Sequence, residues 1–139
     1  MKKIITTAIF YFIVVTLWAQ KEPHPFRAYL YNNEYDVFFQ IDFYDETVTV
    51  PGQELYGQLP GYLGKKHNSF CWVITSAEVK KHTATLAMIN DYGSEDLTAT
   101  LTVKNDSLYV LRQEEGSTLK VPKNGKWQKL PKTLEFKRR

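Results

Sequence analysis

Apolar and polar residues alternate along most of this chain, with the period of two that is typical of half-buried β-strands. The clearest run lies between residues 97 and 103, where Leu97, Ala99, Leu101 and Val103 alternate with three threonines. This pattern predicts a strand with a buried apolar face and an outward threonine face.

The same alternation occurs in other segments, notably residues 35–43, 70–77 and 85–89. Turn residues separate the runs, and Asn124-Gly125 is the strongest two-residue hairpin signal. No long stretch has the helical period. The chain is therefore predicted to be all-β, a single antiparallel up-and-down β-barrel of about 8–10 strands, with a β-sandwich as the alternative. The barrel is preferred because a closed meander leaves no exposed strand edge.

Residues 51–69 interrupt this alternating pattern, because they contain four glycines and two prolines among aromatic and aliphatic residues. They predict a long loop, with room for a short strand at 54–59. Such loops often cover binding sites, although this one could also serve only to pack its own aromatic side chains as a cap. The candidate ligand-binding residues are those of the loop and of the strands below it: Tyr56, Leu59, Tyr62, Leu63, Trp72 and Phe39.

The first nineteen residues have the pattern of a secretory signal peptide. Lys2 and Lys3 precede an apolar run over residues 4–17, and the small residue Ala19 suits the position before a cleavage site. A membrane anchor is the competing interpretation, but a spanning helix needs about 20 apolar residues and this run is shorter. We therefore expect a signal peptide at 1–19, a single domain at 20–139, and a periplasmic or secreted protein after cleavage near Ala19.

Charge is nearly balanced over residues 20–139, which argues against broad nucleic-acid binding. It is unevenly distributed, because residues 20–103 hold six basic and eleven acidic groups, whereas residues 104–139 hold ten basic and four acidic groups. The basic excess is either a solvated face or a contact for an anionic surface. Its main members are Lys120, Lys123, Lys126, Lys129, Lys132, Arg138 and Arg139.

The acidic segment at residues 90–96 could in principle hold calcium. An EF-hand loop requires a Gly at its sixth position and a Glu at its twelfth, but Gly93 is third after Asp91 and Thr102 stands twelfth. The segment is therefore interpreted as a hairpin turn. Asn105-Asp106-Ser107 is also interpreted as a turn, although it matches short acceptor patterns for glycosylation at Asn105 or Ser107.

Catalytic signals are weak. The three histidines (His24, His67 and His82) lack the spacing of a zinc site, and the single cysteine, Cys71, is interpreted as a buried inert thiol. No nucleotide-binding, hydrolase or metalloprotease motif is present. We expect a protein that is not an enzyme and needs no metal or cofactor.

The export signal, the single-domain length, the meander and the early long loop together resemble small lipocalin-like barrels. The resemblance covers most of residues 27–137 as a pattern. The family's Gly-x-Trp signature is absent, since Tyr29, Leu30 and Tyr31 stand in that region, and the late Arg that packs on that Trp has no clear counterpart. The resemblance therefore implies a fold and assigns no functional residues.

Two functional hypotheses follow. In the first, the protein is an exported non-enzymatic barrel that binds a small apolar or amphipathic ligand beneath the 51–69 loop. In the second, it is a periplasmic protein-interaction module, such as an inhibitor, an immunity protein or an envelope-assembly protein, that acts through its surface. A ligand-binding barrel should enclose a cavity, whereas a surface-binding barrel should have a filled interior.

Overall fold

The computed structural model describes residues 24–139, so the expected signal peptide at 1–19 lies outside the described residues. The described part contains a 3-10 helix (Glu54–Tyr56) and a series of β-strands. The strands are β1 (Arg27–Asn32), β2 (Val37–Asp42), β3 (Val48–Thr49), β4 (Gln58–Leu59), β5 (Gly61–Lys65), β6 (Asn68–Lys80), β7 (Thr83–Asn90), β8 (Asp96–Val103), β9 (Leu108–Gly116), β10 (Lys120–Lys123), β11 (Lys126–Lys129) and β12 (Thr133–Arg138). Within residues 24–139 no helix has the length and apolar character needed to cross a membrane.

Eight strands form a closed antiparallel barrel in the order β1-β2-β5-β6-β7-β8-β9-β12, with β12 returning to β1. Each barrel strand pairs with the next barrel strand along the chain, which is an up-and-down arrangement. The predicted all-β barrel is confirmed, and the sandwich alternative is not adopted. Two small ribbons, β3–β4 and β10–β11, are inserted between barrel strands.

The barrel has two distinct ends because antiparallel strands send successive connections to opposite sides. The ribbon end carries the β1–β2, β5–β6 and β7–β8 turns together with the β10–β11 ribbon. The terminal end carries the β6–β7 and β8–β9 turns, the start of the β2–β5 connection, and both His24 and Arg139.

Large apolar side chains from all eight barrel strands meet inside the barrel. The alternation in β2 and β8 has the predicted orientation, since Phe39, Ile41, Leu97 and Leu101 all belong to the buried cluster. The largest fully buried side chains are Trp72, Tyr109, Phe26, Phe39, Phe136, Leu30, Ile41, Leu63, Ile74, Leu86, Met88 and Leu101.

The two ends are also closed by apolar side chains. At the terminal end, Phe26 is fully buried, stacks on Phe43 with ring centroids 5.5 Å apart, and meets the Tyr109 ring edge-on at 6.4 Å. At the ribbon end, Leu119, Val121 and Leu130 from the connection that carries the ribbon join the same core. Protein side chains thus continue the core from one end of the barrel to the other.

Three predicted turns are confirmed. Asn124 and Gly125 join β10 to β11 with φ angles of 53° and 76°, as a two-residue hairpin of the primed type requires. The acidic segment joins β7 to β8, and the buried Asn90 side chain accepts the Ser94 N–H at 2.9 Å. Asn105 likewise accepts the N–H groups of Ser107 and Leu108 at 3.0 Å in the β8–β9 turn.

The prediction of a long loop over 51–69, with a short strand possible at 54–59, is wrong for the second half of the segment. This segment contains the 3-10 helix, β4, the whole of β5 and the start of β6. Two of the glycines that indicated a loop, Gly61 and Gly64, lie within β5. They are required by packing, since a Cβ on Gly64 would overlap the Phe38 ring and one on Gly61 would overlap the Gln40 carbonyl oxygen.

The remainder of this segment covers the outer wall of the barrel. Val50 and Leu59 pack against Cys71, Val73 and Tyr62 in a small apolar cluster separate from the main core. The connection extends as far as the ribbon end, where the Gln53 side chain donates a hydrogen bond to the Asp91 carbonyl oxygen at 3.3 Å. These contacts give the segment a structural role on the barrel wall.

An aromatic cleft as the candidate functional site

The β10–β11 ribbon is held firmly against the barrel. The Trp72 indole N–H, inside the barrel wall, donates to the Lys120 carbonyl oxygen at 2.9 Å. The buried Gln113 side chain accepts the Leu119 N–H at 2.7 Å and donates to the Pro131 carbonyl oxygen at 2.9 Å, which fixes both ends of the connection. Because both ends of the connection that carries it are fixed, the ribbon holds its side chains in defined positions.

Three aromatic rings surround an open cleft between this ribbon and the β7–β8 turn. Phe70 lies at the centre, with its ring centroid 5.0 Å from that of Trp127 and 6.1 Å from that of Tyr92. Trp127 is 50% exposed and Tyr92 is 73% exposed. The cleft has a volume of about 340 Å³, and Asn68, Asp91 and Lys126 also line it.

The β10–β11 ribbon beside the cleft carries basic side chains, of which Lys126 lines the cleft. Lys120 pairs with Glu95 at 3.0 Å, and its ammonium group lies 5.8 Å from the centroid of the Trp127 ring. Within residues 24–139, Lys123, Lys126 and Lys129 form no ion pair, and all three are exposed. The ribbon beside the aromatic rings therefore carries three exposed lysine side chains that form no ion pair with a described residue.

Asp91 contributes a half-buried carboxyl group to the wall of the cleft. Burial raises the pKa of this carboxyl above its usual value, despite opposing backbone hydrogen bonds from Cys71, Tyr92 and Asp91 itself. Its Oδ1 atom is buried and has no hydrogen-bond partner among the residues that the structure describes. A buried unpaired acceptor is costly, so this oxygen has the capacity to accept a further hydrogen bond.

The candidate ligand-binding residues from the sequence lie in three separate environments. Phe39, Leu63 and Trp72 are buried in the barrel core. Leu59 and Tyr62 belong to the outer-wall cluster. Burial, together with the nearby Cys71 and Tyr29 side chains, raises the pKa of Tyr62.

Tyr56 lies apart from both groups, in the 3-10 helix, where it is 53% exposed. The six candidate residues therefore do not converge on one cavity.

The basic residues singled out in the sequence also separate. Lys120, Lys123, Lys126, Lys129 and Lys132 belong to the connection at the ribbon end, whereas Arg138 and Arg139 lie at the terminal end. The Arg139 guanidinium lies 4.4 Å from the centroid of the Tyr31 ring. The charge asymmetry in the sequence therefore corresponds to two basic regions at opposite ends of the barrel.

Sequence reasoning missed the two residues that dominate the cleft, Tyr92 and Trp127. Each is next to a turn, in Tyr92-Gly93 and in Gly125-Lys126-Trp127. An aromatic side chain at the tip of a hairpin has few neighbours to bury it, and this was the available signal.

No group of three or more His, Cys, Asp or Glu side chains between residues 24 and 139 is arranged to hold a metal ion. His24 and His82 lie at the terminal end, and His67 lies in the β5–β6 turn at the ribbon end. Cys71 is buried, as the sequence indicated, and burial together with the nearby Asp91 raises the pKa of its thiol to about 11.

Comparison of the chain with protein-family models, with curated proteins and with solved structures found no match.

Proposed function

We propose that this protein is an exported, non-enzymatic interaction module that binds another protein through the aromatic cleft at its ribbon end. The observation that carries the proposal is the exposure of Trp127 and Tyr92 around Phe70. Trp and Tyr are enriched among the residues that dominate binding energy at protein interfaces. A rigid site that keeps such side chains exposed is suited to a partner that covers them.

The packed barrel interior favours a function in which the protein binds its partner at its outer surface. Side chains as large as Trp72, Phe39 and Phe136 occupy it, and both ends are closed by apolar residues. An internal ligand would have to displace this packing, which is costly because protein interiors are close-packed.

The partner that fits the cleft has an acidic surface with an apolar projection. The projection would enter the cleft between the aromatic rings, and acidic groups would face Lys123, Lys126 and Lys129. Such complementarity increases the rate of association and disfavours basic partners. The expected signal peptide at 1–19 would bring the module to partners in the periplasm or outside the cell.

The test is to capture partners from the host envelope with the immobilised protein and with two variants. Trp127→Ala should weaken retention of the bound partner by about 30-fold, because truncating a central aromatic residue at an interface costs roughly 2 kcal/mol. Tyr44→Ala is the control, since Tyr44 is an exposed aromatic residue at the terminal end. It should retain the partner as the unchanged protein does.

Melting temperatures recorded for both variants separate loss of binding from loss of fold. A partner retained equally by the Trp127→Ala protein would contradict the proposal. So would the absence of any envelope protein that binds the unchanged chain at low salt.

A further inference from the structure

A second pocket lies at the terminal end, remote from the aromatic cleft. It has a volume of about 500 Å³ and lies between the β6–β7 turn, the β8–β9 turn and the end of β12. Pro25 and Val103 give it an apolar wall, and Tyr109 forms its inner boundary. This volume is within the range of pockets that hold small molecules.

Arg138 is held in position at this pocket. Its Nη1 donates to the Tyr109 hydroxyl oxygen at 3.3 Å, and its Nη2 donates to the Arg27 carbonyl oxygen at 3.2 Å. The Tyr109 hydroxyl in turn donates to the Pro25 carbonyl oxygen. These bonds use neutral acceptors and leave further guanidinium N–H groups free, so the group is oriented while its charge remains uncompensated.

Two further basic side chains, Lys104 and His82, line the same pocket, and Asp106 is the carboxylate among the lining residues. Within residues 24–139 neither Arg138 nor Lys104 forms an ion pair. A positioned guanidinium that shares a pocket with a lysine side chain is a favourable site for a carboxylate or a phosphate.

We propose that this pocket binds a small amphiphile, a molecule with one carboxylate or phosphate group and a short apolar body. The anionic group binds Arg138 and Lys104, and the apolar body lies against Pro25 and Val103. The proposal uses no residue of the aromatic cleft, so it stands or fails independently of the proposed function.

Octanoate, octan-1-ol and inorganic phosphate are the molecules for the test, added to the isotopically labelled protein at low salt while amide chemical shifts are followed. Octanoate should bind saturably, with shifts at residues 82, 103–106 and 138. Octan-1-ol and phosphate should each bind about tenfold more weakly, because each lacks one of the two recognised features. Phosphate binding as tight as that of octanoate would overturn the proposal, as would octan-1-ol binding as tight.

Variants test the residues directly. Arg138→Gln should weaken octanoate binding by about tenfold, and Lys104→Gln, in an exposed turn, by about threefold. Arg112→Gln removes the same charge from an arginine that is exposed and does not line the pocket, so it should leave binding unchanged. If Arg138→Gln does not fold, the comparison of Lys104→Gln with Arg112→Gln decides the outcome. Equal octanoate affinity in those two proteins would overturn the proposal.

Discussion

Asp42 shows how a single side chain can organise a chain reversal at the terminal end. Its Oδ1 accepts the N–H groups of Tyr44 and Asp45 at 3.1 Å each, and its Oδ2 accepts the Thr47 hydroxyl at 2.8 Å. Burial raises the pKa of this carboxyl, but these hydrogen bonds and the charge of Arg27 outweigh burial, so that the pKa lies below its usual value. The ionised carboxylate thus stabilises the turn that leads from β2 towards β3.

Cys71 allows a prediction at the same scale. Because burial raises the pKa of the thiol to about 11, the group is protonated at pH 8. Iodoacetamide should therefore modify the folded protein about two orders of magnitude more slowly than the urea-unfolded protein, since the thiolate is the nucleophile. The measurement is alkylation followed by mass spectrometry at pH 8. Equal rates in the folded and unfolded states would contradict the burial of the thiol.

At the scale of elements, β5 depends on glycine at a position where the sequence alone predicts a loop. Gly61 has a φ angle of 153° and pairs with Ile41 of β2 on one side and Ile74 of β6 on the other. Its lack of a Cβ allows the β2 backbone to approach. Without this close approach the β2–β5–β6 part of the barrel wall could not form as observed.

We therefore expect Gly61→Ala to lower the free energy of unfolding by about 2–5 kcal/mol, from the overlap with the β2 backbone and the strained φ together. Gly57→Ala is the matched control, because Gly57 also has a positive φ, of 73°, but a Cβ there would meet nothing within 4 Å. With a ψ of −147°, this backbone conformation is one that essentially only glycine adopts, so Gly57→Ala should cost about 1–3 kcal/mol, and the Gly61→Ala cost should exceed it because of the added overlap. Urea denaturation measures both values, and equal costs would show that the close approach is unimportant.

At the scale of the whole molecule, the barrel closes where its first and last strands pair. β1 pairs with β12 through Leu30 with Arg138 and Tyr31 with Lys137. The Arg139 N–H also donates to the Tyr29 carbonyl oxygen at 3.0 Å. This short ladder joins residues more than one hundred positions apart, so its formation depends on the rest of the barrel.

Phe136 should be essential for this closure. It is fully buried on β12, with its ring centroid 4.8 Å from that of Phe39 on β2. Phe136→Ala should lower the free energy of unfolding by about 3–5 kcal/mol, because it leaves a cavity in the core. The neighbouring Lys137→Ala, at an exposed site, should change it by no more than about 0.5 kcal/mol. Chemical denaturation tests the pair, and a cost below 1 kcal/mol for Phe136→Ala would contradict the role of this contact.

The sequence by itself determined the strands whose side chains alternate most clearly. The alternation at Leu97, Ala99 and Leu101 predicts a buried face, and the structure has that face inside the barrel. Asn124-Gly125 likewise predicts its hairpin. These features are local, because a period of two and a turn dipeptide are set by neighbouring residues. Since every strand needed a partner and a closed meander provides one, local signals were enough to predict the fold.

Only the tertiary structure decided which surfaces came together. Gly61 and Gly64 carry a local loop signal, but the approach of β2 makes them strand residues. Trp127 and Tyr92 are thirty-five positions apart, yet both lie beside Phe70. The aromatic cleft and the separation of the basic residues between two ends follow from strand pairing and closure, which depend on contacts that no local pattern contains.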